Sequence, residues 1–204
     1  MSINSTQKLI SKPITEKDRM RLDEFFEGIK SQYPVPESCA MPLLYAVQQI
    51  QGFISKEGLE YVSEKTRLTP AHVLELATFY TMFRLKPVGQ YHIQICRTAS
   101  CYFCGGKELI EFVRGFVGKD EFDPSDDGLF SWELVECVGS CGTAPAVIIN
   151  DRLFENLNVD QLKDLLDRIK LERPNLSLDV FSDRFGEDWN DLPFSRILDS
   201  QTKR

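Results

Sequence analysis

Apolar residues recur at helical spacing through the first 90 residues of the chain and at strand spacing afterwards. Over residues 19–30 they fall at Met20, Leu22, Phe25, Phe26 and Ile29, roughly one face of a helix. Tyr33-Pro34-Val35-Pro36 interrupts that face, because a residue before proline is pushed out of the helical region. A second helix is predicted over residues 41–53, with Leu43, Leu44, Val47 and Ile50 inward, and a third over 56–66. A fourth opens at Thr69-Pro70, a hydroxyl cap followed by proline at the first helical position, and continues through Val73, Leu76, Ala77, Phe79, Tyr80 and Phe83. The aromatic residues of that helix are expected in its core. The pattern therefore predicts a flexible N-terminus over residues 1–18 and a helical bundle over 19–88.

From Tyr91 the period shortens to two. Residues 91–95 alternate as a strand that delivers Cys96, and a loop carries Cys101 and Cys104 into Gly105-Gly106. A helix follows over 107–117, an acidic, turn-rich stretch over 120–128, and a strand over 132–136 ending at Cys137. Strands over 146–149 and 152–155 flank the Asn150-Asp151 turn, and a helix over 160–171 turns Leu162, Leu165, Leu166 and Ile169 inward. A strand–helix–strand crossover puts its two strands in one sheet, and the hairpin adds an antiparallel edge. The fold class is thus α+β: a helical bundle, then an α/β domain with a mixed four-stranded sheet over 89–171, then an extension over 172–204. In that extension Phe181, Phe185, Trp189 and Phe194 are expected to make short docking contacts.

Composition narrows the function. With 42% apolar and 27% charged residues, 204 residues can bury a core and escape compositional disorder. The formal charge of −7 argues against a nucleic-acid partner, which asks for a basic face. No apolar run approaches the ~18 residues of a membrane span, and the N-terminus lacks the apolar stretch of a secretory signal. A cytoplasmic protein in a reducing compartment is expected, and there clustered cysteines signal metal or redox chemistry more often than disulfides. Cys39, apart from the cluster, reads as a small buried hydrophobe. His72 and His92 lie in patterned segments that suit packing or surface roles, and no G-x-G-x-x-G follows a strand, so no dinucleotide site is expected.

Five of the six cysteines occupy a 46-residue window: Cys96, Cys101, Cys104, Cys137 and Cys141. Strand ends on one edge of a sheet would bring the Cys96/Cys101 and Cys137/Cys141 pairs together, two thiolates from each side, around a soft metal centre such as a [2Fe–2S] cluster. Gly139 and Gly142, bracketing Cys141, would let backbone N–H groups approach sulfur, and Arg97 would offset the negative charge. Three other readings compete. Structural zinc also takes four thiolates, although usually from tighter C-x2-C knuckles. Cys101-Tyr-Phe-Cys104 is a C-x-x-C at a helix start, as thiol–disulfide oxidoreductases have. Finally, Cys96, Cys101 and Cys104 with one distant cysteine match the plant-type ferredoxin spacing. That set leaves Cys137 or Cys141 idle in a shared glycine-flanked loop, so the two-pair set is preferred.

Three segments carry a more specific likeness: Ala77-Thr-Phe-Tyr-Thr-Met-Phe83, Cys96-Arg-Thr-Ala-Ser-Cys101 and Cys137-Val-Gly-Ser-Cys-Gly-Thr-Ala-Pro145. They resemble the thioredoxin-like [2Fe–2S] ferredoxin family, in its form as a subunit of NADH:quinone oxidoreductase (complex I), over about residues 20–170. The resemblance implies a thioredoxin-like domain, cluster ligation by Cys96, Cys101, Cys137 and Cys141, and no catalytic residue in this chain. It also implies a partner subunit that carries FMN and the NADH site, and membrane attachment only through the assembly, on the cytoplasmic face of the inner membrane. Equivalent subunits serve NAD-reducing hydrogenases and NAD-dependent formate dehydrogenases. Cys104 is not a ligand position of that pattern, and the tail lies outside it. Thioredoxin-like folds often carry a cis-proline where Pro145 stands, so a cis Ala144–Pro145 bond is expected.

Overall fold

A computed structural model describes residues 9–177 and 179–181. Helices α1 (Glu16–Ile29), α2 (Ala40–Gln51), α3 (Lys56–Thr66) and α4 (Pro70–Phe79) come first. Three of them start where a hydroxyl caps the free backbone donors: Thr15 accepts from Asp18 N–H, Ser55 from Gly58 N–H and Thr69 from His72 N–H. Their apolar faces meet in one core built on Leu22, Leu43, Leu44, Val47, Tyr61, Val62 and Val73. Cys39 is fully buried there, the hydrophobe's role expected of it. Ahead of α1, Lys12 N–H donates to Glu57 at 2.8 Å and Gln51 Nε2 donates to Lys12 C=O at 2.9 Å, which ties residues near the chain start to the bundle. Residues 1–8 lie outside the described residues, as do Phe185, Trp189 and Phe194, whereas Phe181 docks edge-on to Phe25 at 5.4 Å between centroids.

Helix α4 stops at Phe79, short of the expected end at Phe83, because Tyr80 adopts an extended conformation (φ −88°, ψ 109°). Residues 79–83 therefore share no helical face, and the aromatic run divides. Phe83 is buried edge-on to Tyr45, with centroids 5.1 Å apart, while Phe79 is 76% exposed and Tyr80 38%. The expectation that all three pack inward is corrected for Phe79 and Tyr80.

The second half is a sheet with two helices on one face. Strands β1 (Tyr91–Cys96), β2 (Phe130–Val135), β3 (Ala146–Ile149) and β4 (Arg152–Glu155) lie in the order β2-β1-β3-β4. Only β1 and β2 run parallel; β1–β3 and β3–β4 are antiparallel. The mixed four-stranded sheet is thus as predicted. Between β1 and β2 come α5 (Ala99–Cys101) and α6 (Lys107–Val117), and α7 (Val159–Glu172) closes the unit. Tyr91, Ile93, Ile95, Phe130, Trp132, Val147 and Ile149 pack beneath α6 and α7, which contribute Leu109, Val113, Leu162, Leu165, Leu166 and Ile169. This alternation buries one set of β1 residues under the helices and turns His92, Gln94 and Cys96 to the other face.

The stretch expected as a loop around Cys101 and Cys104 is instead largely helical. From Ala99 the chain coils through Cys101 and Gly106 into α6, breaking only at Cys104 (φ −93°, ψ 22°) and Gly105 (φ 104°, ψ 2°). Gly105 takes a positive φ that other residues resist, so the glycine pair marks a kink inside a helical run and not the loop it suggested.

On the opposite face a polar cluster is sealed between β1 and β2. His92 Nδ1 lies 2.7 Å from Ser131 Oγ and its Nε2 lies 2.9 Å from Glu133 Oε1, while Gln94 Nε2 donates to the same carboxylate at 2.7 Å. Phe122 stacks over the imidazole at 6.1 Å, and Phe122 N–H donates to Trp132 C=O at 2.7 Å. The acidic stretch is therefore zipped onto β2. Burial pushes the His92 pKa below its ordinary 6.5 and outweighs the opposing pull of Glu133; the positive charge of Arg84 acts in the same direction as burial. A depressed base stabilises the fold above its unfolded pKa and withdraws that stability as the pH falls toward the folded value. Thermal unfolding should accordingly show a lower Tm at about pH 5.5 than at about pH 7.5, with a smaller difference in His92→Gln. Equal acid sensitivity in the two proteins would assign the effect elsewhere.

Candidate metal centre

Parallel pairing of β1 with β2, in the register Cys96↔Val135, opens both C-terminal strand ends at one edge of the sheet. Cys96 closes β1, and Cys137 follows β2 by two residues. The helical turn α5 then brings Cys101 back against the end of β1. That return needs Gly106: a Cβ there would stand 2.5 Å from the Cys101 carbonyl oxygen and 2.8 Å from its carbon. The opposite loop, residues 137–145, is pinned to the sheet from below. Ser140 and Thr143 hydroxyls both donate to Glu155 at the end of β4, and Asn156 N–H donates to Thr143 C=O at 2.8 Å and Pro145 C=O at 2.9 Å. The Ala144–Pro145 peptide is cis, as expected, and leads into β3.

The two pairs differ in exposure. Cys96 and Cys101 are each 1% exposed and pack with Ala146, whereas Cys137 and Cys141 are open to solvent with their sulfurs 3.4 Å apart. Two thiolates about 2.3 Å from one tetrahedral metal ion stand ~3.8 Å apart, so this second pair is close to ligating separation. Within each pair the two thiols are shifted in opposite directions. Burial opposes the Cys96 thiolate, but the Thr98 hydroxyl, the Thr98 N–H, the Cys101 thiol and the Val138 N–H together bring its pKa below that of an ordinary thiol. Its partner Cys101 is pushed up to about 11, first by burial and then by Cys96, although Ala146 N–H points at it. In the exposed pair, Gly139 N–H at 3.4 Å lowers Cys137, and Cys137 in turn raises Cys141, which Ser100 partly relieves. Metal ligation requires both thiols of a pair to be deprotonated, so binding here would release protons. Among the described residues, no three His, Cys, Asp or Glu groups converge as a single ion would require.

Other candidate residues fall differently. Cys104 is exposed, sits at the helical kink and forms no hydrogen bond with the other four thiols among the described contacts. Arg97, expected to offset charge on the sulfurs, is held by Glu136: its Nε donates to that carboxylate at 3.1 Å and the two form an exposed ion pair. Its position beside Cys96 suggested otherwise, but Glu136 takes up its guanidinium. Gly139 has φ 85° and supplies the N–H just described, while a Cβ on Gly142 would meet open space. Sequence reasoning overlooked Thr98, whose hydroxyl lies 3.2 Å from Cys96 Sγ, and Glu155, which anchors the second loop. The signal for the first was present: a hydroxyl residue between Cys96 and Cys101.

Comparison with known proteins agrees with this geometry. The chain matches the thioredoxin-like [2Fe–2S] ferredoxin family over residues 26–170. It is 40% identical over 134 residues to NADH-quinone oxidoreductase subunit 2 of Thermus thermophilus, covering 64% of this chain and 74% of that protein. It is 33% identical over 151 residues to an NADH-quinone oxidoreductase subunit of Rhizobium meliloti, covering 74% and 90% respectively. A chain of an NAD+-reducing [NiFe]-hydrogenase, solved in its H2-reduced state, is similar in fold alone, with a TM-score of 0.57 at 22% identity over 72% of this chain and 24% of that one. No helix among the described residues is long and apolar enough to cross a membrane. A match of that length, centred on the edge where both cysteine pairs meet, means that the chain belongs to the thioredoxin-like [2Fe–2S] ferredoxin family, and its relatives are subunits of NADH-quinone oxidoreductase.

Proposed function

We propose that this chain is the [2Fe–2S] electron-transfer subunit of an NADH dehydrogenase module within an NADH:quinone oxidoreductase, exchanging electrons with FMN on a partner subunit that also binds NADH. The observation that carries this reading is the meeting of two cysteine pairs at one sheet edge, one pair with its sulfurs 3.4 Å apart. Cys96, Cys101, Cys137 and Cys141 are the proposed ligands. Bound there, a [2Fe–2S] cluster accepts and returns one electron at a time. The protein's part is to keep the sulfurs in place and to offset their charge with N–H groups of Thr98, Val138, Gly139 and Ala146. A thiol–disulfide oxidoreductase fits poorly, because the leading cysteine of its C-x-x-C should be exposed with a lowered pKa, whereas Cys101 is buried and shifted up.

Around the site, apolar side chains lie open in a way that suits a partner. Phe103, two residues past Cys101, is 84% exposed and packs edge-on to the half-exposed Tyr102, with centroids 5.8 Å apart. Large exposed aromatics are frequent anchors of protein interfaces. The reading is tested by purifying the chain from its native source. Brown protein with two irons and two sulfides, an EPR signal on reduction, and an accompanying FMN-containing chain are expected. Colourless protein holding one zinc would sink the proposal. In Phe103→Glu, retention of the flavin subunit should fall by about tenfold or more with iron content unchanged, the loss typical of a truncated interface anchor. Undiminished retention would move the docking surface away from the cluster loop.

A further inference from the structure

Thr98 occupies the N-cap position of α5, where a threonine hydroxyl ordinarily accepts a hydrogen bond from the first turn of the helix. It makes no such bond. Its Oγ1 lies instead 3.2 Å from Cys96 Sγ. In the free thiols either atom can donate, but a metal-bound thiolate only accepts, so loading the site fixes the direction of the bond from Thr98 to sulfur. That donation strengthens as negative charge collects on the sulfur.

We propose that Thr98 is a positioning residue that raises the reduction potential of the centre, its hydroxyl donating to the Cys96 sulfur. This rests on the cluster assignment above. Reduction adds one electron, taken from dithionite through viologen mediators; no bond to the protein breaks, and the charge left on the sulfurs is what the donor offsets.

The test is a mediated redox titration, followed by EPR, of the full chain carrying its cluster, in wild type, Thr98→Val, Thr98→Ala and Thr98→Ser. At fixed solution potential, the ratio of reduced to oxidised centre is expected to fall about tenfold in the valine and alanine variants, a shift of about 59 mV to more negative potential. Thr98→Ser keeps the hydroxyl and should keep the wild-type potential. A purely structural role would lower iron content or Tm without this pattern. Valine or alanine variants with full iron and an unchanged or more positive potential would overturn the proposal. So would loss of iron in both while Thr98→Ser loads fully, because the hydroxyl would then serve assembly and not potential. Wild-type protein with zinc or no iron would instead defeat the cluster assignment, an outcome visible before any variant is made.

Discussion

Cys141→Ser is expected to lose the iron–sulfur centre or to change its visible spectrum strongly, while Cys104→Ser keeps two irons and two sulfides. The contrast follows from placement. Cys141 stands 3.4 Å, sulfur to sulfur, from Cys137, and their ionisations depend on one another, so an oxygen in its place breaks a ligating pair. Serine is a harder donor than a thiolate, and soft thiolates are what iron–sulfur clusters select. Disturbing residues merely behind metal ligands already lowers affinity ~10–100-fold, and removing a ligand should exceed that. Cys104 is exposed at the kink before α6 and shares no hydrogen bond with the other thiols among the described contacts, so its loss leaves the cage intact. Iron and sulfide analysis of the two variants decides the matter. A retained cluster in Cys141→Ser together with an empty Cys104→Ser would restore the plant-type ligand set.

Gly106→Ala should damage the same site from behind. The added methyl would stand 2.5 Å from the Cys101 carbonyl oxygen and 2.8 Å from its carbon, backbone atoms that cannot swing away. Relief requires moving either the start of α6 or the turn that holds Cys101. Overpacking of this kind costs about 1–3 kcal/mol. For a chain of this length that corresponds to a Tm lower by roughly 2–12 °C, and iron content should fall with it because Cys101 shifts. Gly115 is the natural control: it lies within α6, and a Cβ there meets nothing within 4 Å. Gly115→Ala should leave iron content unchanged and gain up to about 1 kcal/mol from helix propensity. Wild-type Tm and iron in Gly106→Ala would show that the α6 contact does not hold Cys101 in place.

Much of this arrangement was legible in the residues. Lys56–Thr66, Ala146–Ile149 and Arg152–Glu155 form elements where periodicity put them, and the strand–helix–strand order pointed to one shared sheet. Convergence of the two cysteine pairs was accessible for the same reason, since parallel neighbours end on a common edge. Three features were hidden. The helical run from Ala99 to α6 was masked by Gly105-Gly106, which local rules read as punctuation and tertiary packing uses as a kink and a point of close approach. The division of the aromatic run depends on the single extended residue Tyr80, which ends α4 before Phe83 and which no window of apolar residues reveals. Thr98 looks like an ordinary turn residue until its hydroxyl is seen 3.2 Å from Cys96 Sγ.

The unequal burial of the two pairs bears on how the centre is built. Cys96 and Cys101 are closed off beneath Ala146 in the folded chain, whereas Cys137 and Cys141 face outward. Iron and sulfide delivered after folding must therefore enter from the outer loop, meet Cys137 and Cys141 first, and pass inward to complete the bonds to the buried pair. A scaffold that donates iron and sulfide to the proposed centre would dock against residues 137–141, so loading would have to precede any docking of the proposed partner on that rim.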